Sequence, residues 1–259
     1  MTADLKDLFE NGNWYHSIKC RDFRSRGVYN LENHLDCYRF DEDYTGKTVI
    51  DVGCSDGYFS FLFKERGAKR VCAIDSNKYD GSMAISPSNQ SASRYIKKYS
   101  KAIQDYEKYK NIYNSYGLRD SNKLNLVSKL NGIDIEFYNG SVYDLSSYGK
   151  FDFSFCGALL EHLKDPIGAI EQLFYATEEK AIIACSSSMS GWLTWLSRKP
   201  YLVYRGHQGG GSFFEISEHA LKDMCQAAGF RSVETVGRCH IKNMKSNSNN
   251  YHVIVHAYK

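Results

Sequence analysis

The chain has 259 residues, 42% hydrophobic and 24% charged, with a formal net charge of +3. That length suits one large α/β core in a single domain, residues 1–259, and so modest a charge does not by itself imply a nucleic-acid partner. Met1 to Asn13 carries Asp4, Asp7 and Glu10 without the basic and apolar regions of a signal peptide, and no apolar run approaches the ~20 residues of a membrane span, so a cytoplasmic protein is expected.

In chain order, residues 1–40 hold the aromatic segment Trp14-Tyr15-His16-Ser17-Ile18 and read as a lid. The β-branched run Thr48-Val49-Ile50 then ends in Asp51, and a Gly/Ser turn, Gly53-Cys54-Ser55-Asp56-Gly57, opens a helix at Tyr58. A strand, a glycine turn and a helix in that order make a nucleotide site, because glycine lets backbone approach ligand and the helix N-terminus faces it. A second strand, Val71-Cys72-Ala73-Ile74, ends in Asp75 and Ser76. A carboxylate there can accept hydrogen bonds from a ribose diol, which predicts an adenosine-containing cofactor. The turn lacks the G-x-G-x-x-G that a pyrophosphate needs, which argues against a dinucleotide.

Residues 80–131 read as a helical insertion and candidate substrate cap. Ala92, Tyr95, Ile96, Tyr99, Ala102, Ile103, Tyr106, Tyr109, Tyr113 and Tyr116 recur at helical spacing, interleaved with Lys97, Lys98, Lys101, Lys108 and Lys110. The alternatives are tyrosines packed on the sheet, phenol rings facing a substrate, or a basic face meeting RNA. A second helix is expected near Lys123–Leu130. Ile133–Phe137 alternates as a strand, Phe151–Cys156 is another, and Lys180–Cys185 a third. Pro166–Thr177 and Glu218–Ala228 read as helices, the latter capped by Ser217 and stopped at Gly229. Arg231–Val236 and Tyr251–Tyr258 read as closing strands, with Gly237–Asn250 a mobile loop. The eight cysteines form no C-x-x-C pair and read as small reduced core residues.

Gly53-x-Ser55-x-Gly57-Tyr58 resembles the first motif of the class I S-adenosylmethionine methyltransferases. The run SVYDLSSYGKFDFSFCGALLEHLKDP, from Ser141 to Pro166, resembles their third and fourth motifs. It looks especially like the subgroup related to the tRNA wobble-uridine carboxymethyl-/methyltransferases and their shorter relatives, as does Trp14–Ile18. The resemblance covers residues 13–75 and 133–259, not 80–131. Those enzymes usually carry glycine at Ser55, and the wobble enzymes carry tyrosine at Glu161. The resemblance implies a Rossmann-like α/β fold: a seven-stranded, mostly parallel sheet with helices on both faces and the final strand antiparallel.

It also implies a site. Gly53 and Gly57 would line the methionine and adenosine portions, Asp75 would take the ribose hydroxyls, Ser141 and Val142 would flank the adenine, and Cys156 and Gly157 would lie beneath the methionine. Asp51, Cys54 and Ser76 complete the cofactor-binding set. Glu161 and His162 are the catalytic candidates, since an imidazole can take a proton near neutral pH, and His16 in the N-terminal aromatic segment is the next candidate base. A divalent metal on Glu161, His162 and His207 is disfavoured because Ala158 stands where the metal-dependent relatives have a glutamate. Trp192, Trp195, Tyr201, Tyr204 and Gly209–Gly211 read as a substrate-facing loop. The function expected is S-adenosylmethionine-dependent O-methylation of a hydroxyl on a small molecule or sugar. The alternatives are an RNA (tRNA) modification methyltransferase and a non-catalytic S-adenosylmethionine-binding partner.

Overall fold

The computed structural model describes residues 2–76, 104, 106–118, 122–187, 199–205 and 212–259. Helix α1 (Thr2–Asn11) precedes a small hairpin, β1 (Lys19–Cys20) and β2 (Phe23–Arg24), and a 3-10 segment, Glu32–Tyr38. Next come β3 (Thr48–Val52), α2 (Tyr58–Glu65) and β4 (Arg70–Asp75). Residues 106–115 form α3. Then α4 (Lys123–Asn131) leads to β5 (Glu136–Asn139), and β6 (Phe151–Gly157), α5 (Pro166–Ala176) and β7 (Thr177–Ser187) follow. The chain closes with β8 (Leu202–Tyr204), β9 (Phe214–Ile216), α6 (Glu218–Ala227), β10 (Ser232–Lys242) and β11 (Asn249–Tyr258).

Seven strands form one sheet in the order β10-β11-β7-β6-β3-β4-β5. Strands β3 to β7 pair in parallel, and only β11 runs the other way, antiparallel to both β7 and β10. This is the α/β architecture expected from the sequence. Side-chain alternation along each strand divides the core between the two faces. Val49, Phe153, Phe155 and Ile182 pack with Leu8 of α1, Phe63 of α2 and Leu124 of α4. Ile50, Cys156 and Ile183 pack with Ile170 and Leu173 of α5 and Leu221 of α6.

Local chemistry sets the helix boundaries. Asn122 accepts the amide of Asn125 at the start of α4, Asp165 does the same for Gly168 with Pro166 at the first helical position, and Ser217 accepts from Ala220. Each satisfies an amide that the first turn leaves without a partner.

The boundaries of β5 and of the β10–β11 hairpin differ most from the sequence reading. β5 begins at Glu136 rather than Ile133, because Gly132 takes a left-handed conformation to end α4 and the Ile133 amide is still bonded to Ser128 O at 3.0 Å. Gly237–Asn250 is not a loop along its length: β10 runs to Lys242 and β11 starts at Asn249. Cys239 and Ile241 alternate inward between exposed Arg238, His240 and Lys242, so the segment is an amphipathic strand. A register shift between Thr235 and Gly237 bends it.

In the insertion, residues 80–103 lie outside the described residues, and with them Ala92, Tyr95, Ile96, Lys97, Lys98, Tyr99, Lys101, Ala102 and Ile103. In α3, Tyr109, Ile112 and Tyr113 are buried, and Tyr109 donates to Asp7 Oδ2 at 2.8 Å, so this stretch packs against α1. All eight cysteines are free thiols, seven of them buried. Among the described residues no helix is long and apolar enough to cross a membrane.

Candidate active site

The C-terminal ends of the parallel strands meet the turns that the sequence singled out. Gly53 and Gly57 take φ of 78° and 86°, conformations open to glycine at little cost. A Cβ at Gly57 would stand 2.8 Å from Leu124 Cδ1, so α4 closes on the turn and fixes it. Ser55, where a glycine is usual, also sits at positive φ, 53°. Its amide donates to Asp75 Oδ2 at 2.6 Å, so the carboxylate ending β4 holds the turn at the end of β3. Beneath them, Asp51 is 1% exposed and accepts Ser60 Oγ at 2.5 Å. Burial pushes its carboxyl up to about 7. Two glycines in left-handed backbone, a carboxylate at each strand end and the start of α2 make a cradle that fits the adenosine-containing cofactor expected from the sequence.

Beside this cradle lies a cavity of about 330 Å³. Strand ends supply Gly53, Gly157, Glu161, His162 and Ser186; the N-terminal segment supplies Tyr15, His16, Tyr29 and Tyr38; the β10–β11 hairpin supplies Ile241, Asn250 and His252. The N-terminal segment is held rigidly. The Tyr29 amide donates to Tyr15 O at 2.9 Å, and the Ser17 amide donates to Tyr29 O at 2.8 Å. A Cβ at Gly27 would fall 2.1 Å from the His16 carbonyl carbon, so only glycine permits this approach. Trp14 is 1% exposed and donates to Leu8 O, anchoring the segment in the core.

Of the expected site residues, Gly53, Gly157, Glu161 and His162 line the cavity. Glu161 is almost fully buried; it accepts the Ser186 amide at 3.1 Å and Cys185 Sγ at 3.5 Å. His162 places Nδ1 3.4 Å from Ser212 Oγ. Cys156 is fully buried with the core on the α5 face, so only its backbone can face the cradle. Cys54 is likewise buried, on the other face. Ser141 caps the following 3-10 segment through the Tyr143 amide, and Val142 packs near Ile74 in the core. Ser76 follows β4 directly. His207, Trp192, Trp195 and Gly209–Gly211 lie outside the described residues. Among the described residues there is no group of three or more His, Cys, Asp or Glu side chains able to hold a metal.

Sequence reasoning passed over Asp56. It treated this residue as a turn position, yet Asp56 is buried with Oδ1 2.5 Å from His16 Nδ1. Oδ2 accepts the amides of Tyr15 and His16 at 2.9 and 2.8 Å. Nothing local in the sequence announces a contact across 40 residues. Asn250 and His252 were missed for a different reason. Asn250 fell within the expected loop, and His252 stood in a strand whose inward face was not assigned. Asn250 Nδ2 donates to Tyr29 Oη at 2.9 Å, tying the hairpin to the N-terminal segment.

Residues 35–235 match the family described as "Methyltransferase domain". A tRNA U34 carboxymethyltransferase from Sulfurovum sp. strain NBC37-1 is 25% identical over 237 residues, 90% of this chain and 58% of that protein. A protein of the same name from Campylobacter jejuni strain RM1221 is 23% identical, over 90% of this chain and 61% of its own length. This chain thus spans about three-fifths of these relatives. The N-terminal domain of EvdMO1, solved with SAH bound, superimposes with a TM-score of 0.60 at 12% identity, covering 98% of this chain and 94% of that one. With its matched domain, sheet order and glycine turn, the chain belongs to the methyltransferase domain family, in its class I, S-adenosylmethionine-dependent form.

Proposed function

We propose that this protein transfers a methyl group from S-adenosylmethionine to a hydroxyl of a small molecule or sugar held in the cavity beside the strand ends. The observation that supports this most is the cavity itself. At about 330 Å³ it has the size of a small-ligand site, and it combines aromatic walls with a few convergent polar groups. Residues 14–38 and the β10–β11 hairpin act as its lid. The bound cofactor supplies a methyl carbon already made electrophilic by sulfonium. Asp51, Gly53, Cys54, Gly57, Asp75, Ser76, Ser141, Val142, Cys156 and Gly157 would hold it, several through backbone alone. The chain's own work is then to orient the acceptor oxygen, exclude water and accept a proton. Glu161 braces the cavity floor by its bonds to the end of β7, and Tyr29 and Asn250 position acceptor hydroxyls.

A second reading rests on the names of the curated relatives, which act on tRNA. The deciding experiment offers labelled S-adenosylmethionine with two acceptor sets, a panel of methyl glycosides and catechols, and unmodified tRNA. Label in a small acceptor supports the first reading. Label in tRNA, with binding that weakens steeply as salt rises, replaces it with the second. Cofactor binding with label in neither points to a non-catalytic binding protein.

A further inference from the structure

We propose that His16, oriented by Asp56, is the general base that removes the proton from the acceptor hydroxyl; this rests on the methyl-transfer reading above. The arrangement is a buried dyad at the cavity wall. His16 Nδ1 lies 2.5 Å from Asp56 Oδ1, and Asp56 Oδ2 accepts two backbone amides. A carboxylate only accepts hydrogen bonds, so Nδ1 must carry the proton of this pair. In the neutral ring that leaves Nε2 with its lone pair, and the ring borders the cavity. Rings of Tyr15, Tyr58 and Phe59 surround the imidazole at centroid distances of 4.7, 5.4 and 6.0 Å and restrict its rotation. Ser25 Oγ donates to His16 O at 2.8 Å and accepts the Ile18 amide at 2.7 Å, which fixes the backbone that carries the ring.

The cavity's carboxylate and its other two imidazoles are less suited. Both carboxylate oxygens of Glu161 are already engaged by Ser186 and Cys185. His162 Nδ1 lies 3.4 Å from a serine hydroxyl, a longer contact to a group that carries no charge to balance an imidazolium. Burial holds His252 down to about 4, so it binds a proton poorly, and its Nδ1 has no hydrogen-bond partner among the described residues. His16 is held against a buried carboxylate, the arrangement by which a base is held in one tautomer and its cation stabilised.

In the step, the acceptor O–H bond breaks and its proton passes to His16 Nε2. The oxygen's electron pair forms the new bond to the methyl carbon, and the carbon–sulfur pair returns to sulfur, which becomes a neutral thioether. One positive charge leaves sulfur and one appears on the imidazolium, where the Asp56 carboxylate balances it. Asp56 is a positioning residue, since it acts only through the ring.

The test reads the ring directly and needs no acceptor. Protein labelled with ¹⁵N-histidine and saturated with S-adenosylhomocysteine is observed by NMR from neutral to alkaline pH, with His16→Gln identifying the His16 signals. The expected result is a protonated Nδ1 and an unprotonated Nε2, and loss of that preference in Asp56→Asn. An imidazolium persisting across the range, or a ring protonated at Nε2, overturns the assignment. With any glycoside or catechol that the wild type methylates, His16→Gln should lower turnover by roughly 10²–10⁴-fold at unchanged S-adenosylhomocysteine affinity, and added imidazole should restore part of the rate in His16→Gly. Unchanged turnover in both variants refutes the base. Failure of the wild type to bind S-adenosylhomocysteine is a different failure, which removes the methyl-transfer reading and this inference with it.

Discussion

Replacing Asp51 by Asn should stabilise the ligand-free protein at alkaline pH while weakening its hold on cofactor. Burial raises this carboxyl to about 7, against about 3.9 in an unfolded chain. The folded state therefore keeps a proton that the unfolded state has lost over this range. The contribution to stability is fully present below about pH 4 and is lost as pH rises through about 7. Three units correspond to about 4 kcal/mol. Asn has the same shape, and its amide oxygen can still accept Ser60 Oγ. The gain from Asp51→Asn should grow from almost nothing near pH 4 to at most about 4 kcal/mol above pH 7. Urea denaturation of both proteins across this range, with unchanged m-values, measures it. The same change removes a charge from the cradle. If the carboxylate meets a cationic group of the cofactor, loss of a charge-assisted hydrogen bond should weaken S-adenosylhomocysteine by roughly 10- to 100-fold in calorimetry. A variant that is destabilised equally at both ends of the pH range would refute the reasoning about burial.

His252 provides a linkage of opposite sign. Its folded-state pKa is about 4, so its contribution is present above about 6.5 and lost as pH falls through 4, worth ~3 kcal/mol in all. His252→Phe should flatten the acid limb of the stability profile, and an unaltered limb would show that His252 is not its source. Gly57→Ala must hold alanine at φ 86° and place its Cβ 2.8 Å from Leu124; strain and overpacking together should cost about 2–4 kcal/mol in urea unfolding. A loss below about 0.5 kcal/mol would mean that α4 does not close on the turn. Ser55→Gly relieves the positive φ of 53° without touching the amide bond to Asp75, and should raise stability by roughly 1 kcal/mol. A variant less stable than wild type would show that the serine side chain contributes more than its backbone strain costs.

The strands that lie between neighbours were legible because they are short runs rich in β-branched and aromatic residues. Thr48–Val52, Arg70–Asp75 and Phe151–Gly157 all fall where β-branched or aromatic runs placed them. Helix α6 was legible through Ser217, whose side chain states where a helix begins, and α5 through the apolar face of Ile167, Ile170, Leu173 and Phe174 after Pro166. The hairpin was misjudged because the outer strand β10 has one wet face, and Arg238, His240 and Lys242 hid the alternation of Cys239 and Ile241. In the site, the glycine turn and Asp75 are local features and could be found by spacing. The His16–Asp56 pair and the Tyr29–Asn250 bond join residues 40 and 221 positions apart, and only the folded sheet brings them together. His16 stands out in the sequence as a second candidate base; the carboxylate beside it does not.

The central claim is that the cradle at the ends of β3 and β4 binds S-adenosylmethionine and its product. Thermal unfolding of the wild type and Asp75→Ala, each with excess S-adenosylhomocysteine or NAD, tests it most directly. A ligand that binds only the folded chain at a hundred times its Kd adds about 2.7 kcal/mol. The account predicts a clear rise in Tm for the wild type with S-adenosylhomocysteine, most of it lost in Asp75→Ala, and none with NAD. Stabilisation by NAD with no response to S-adenosylhomocysteine would contradict it.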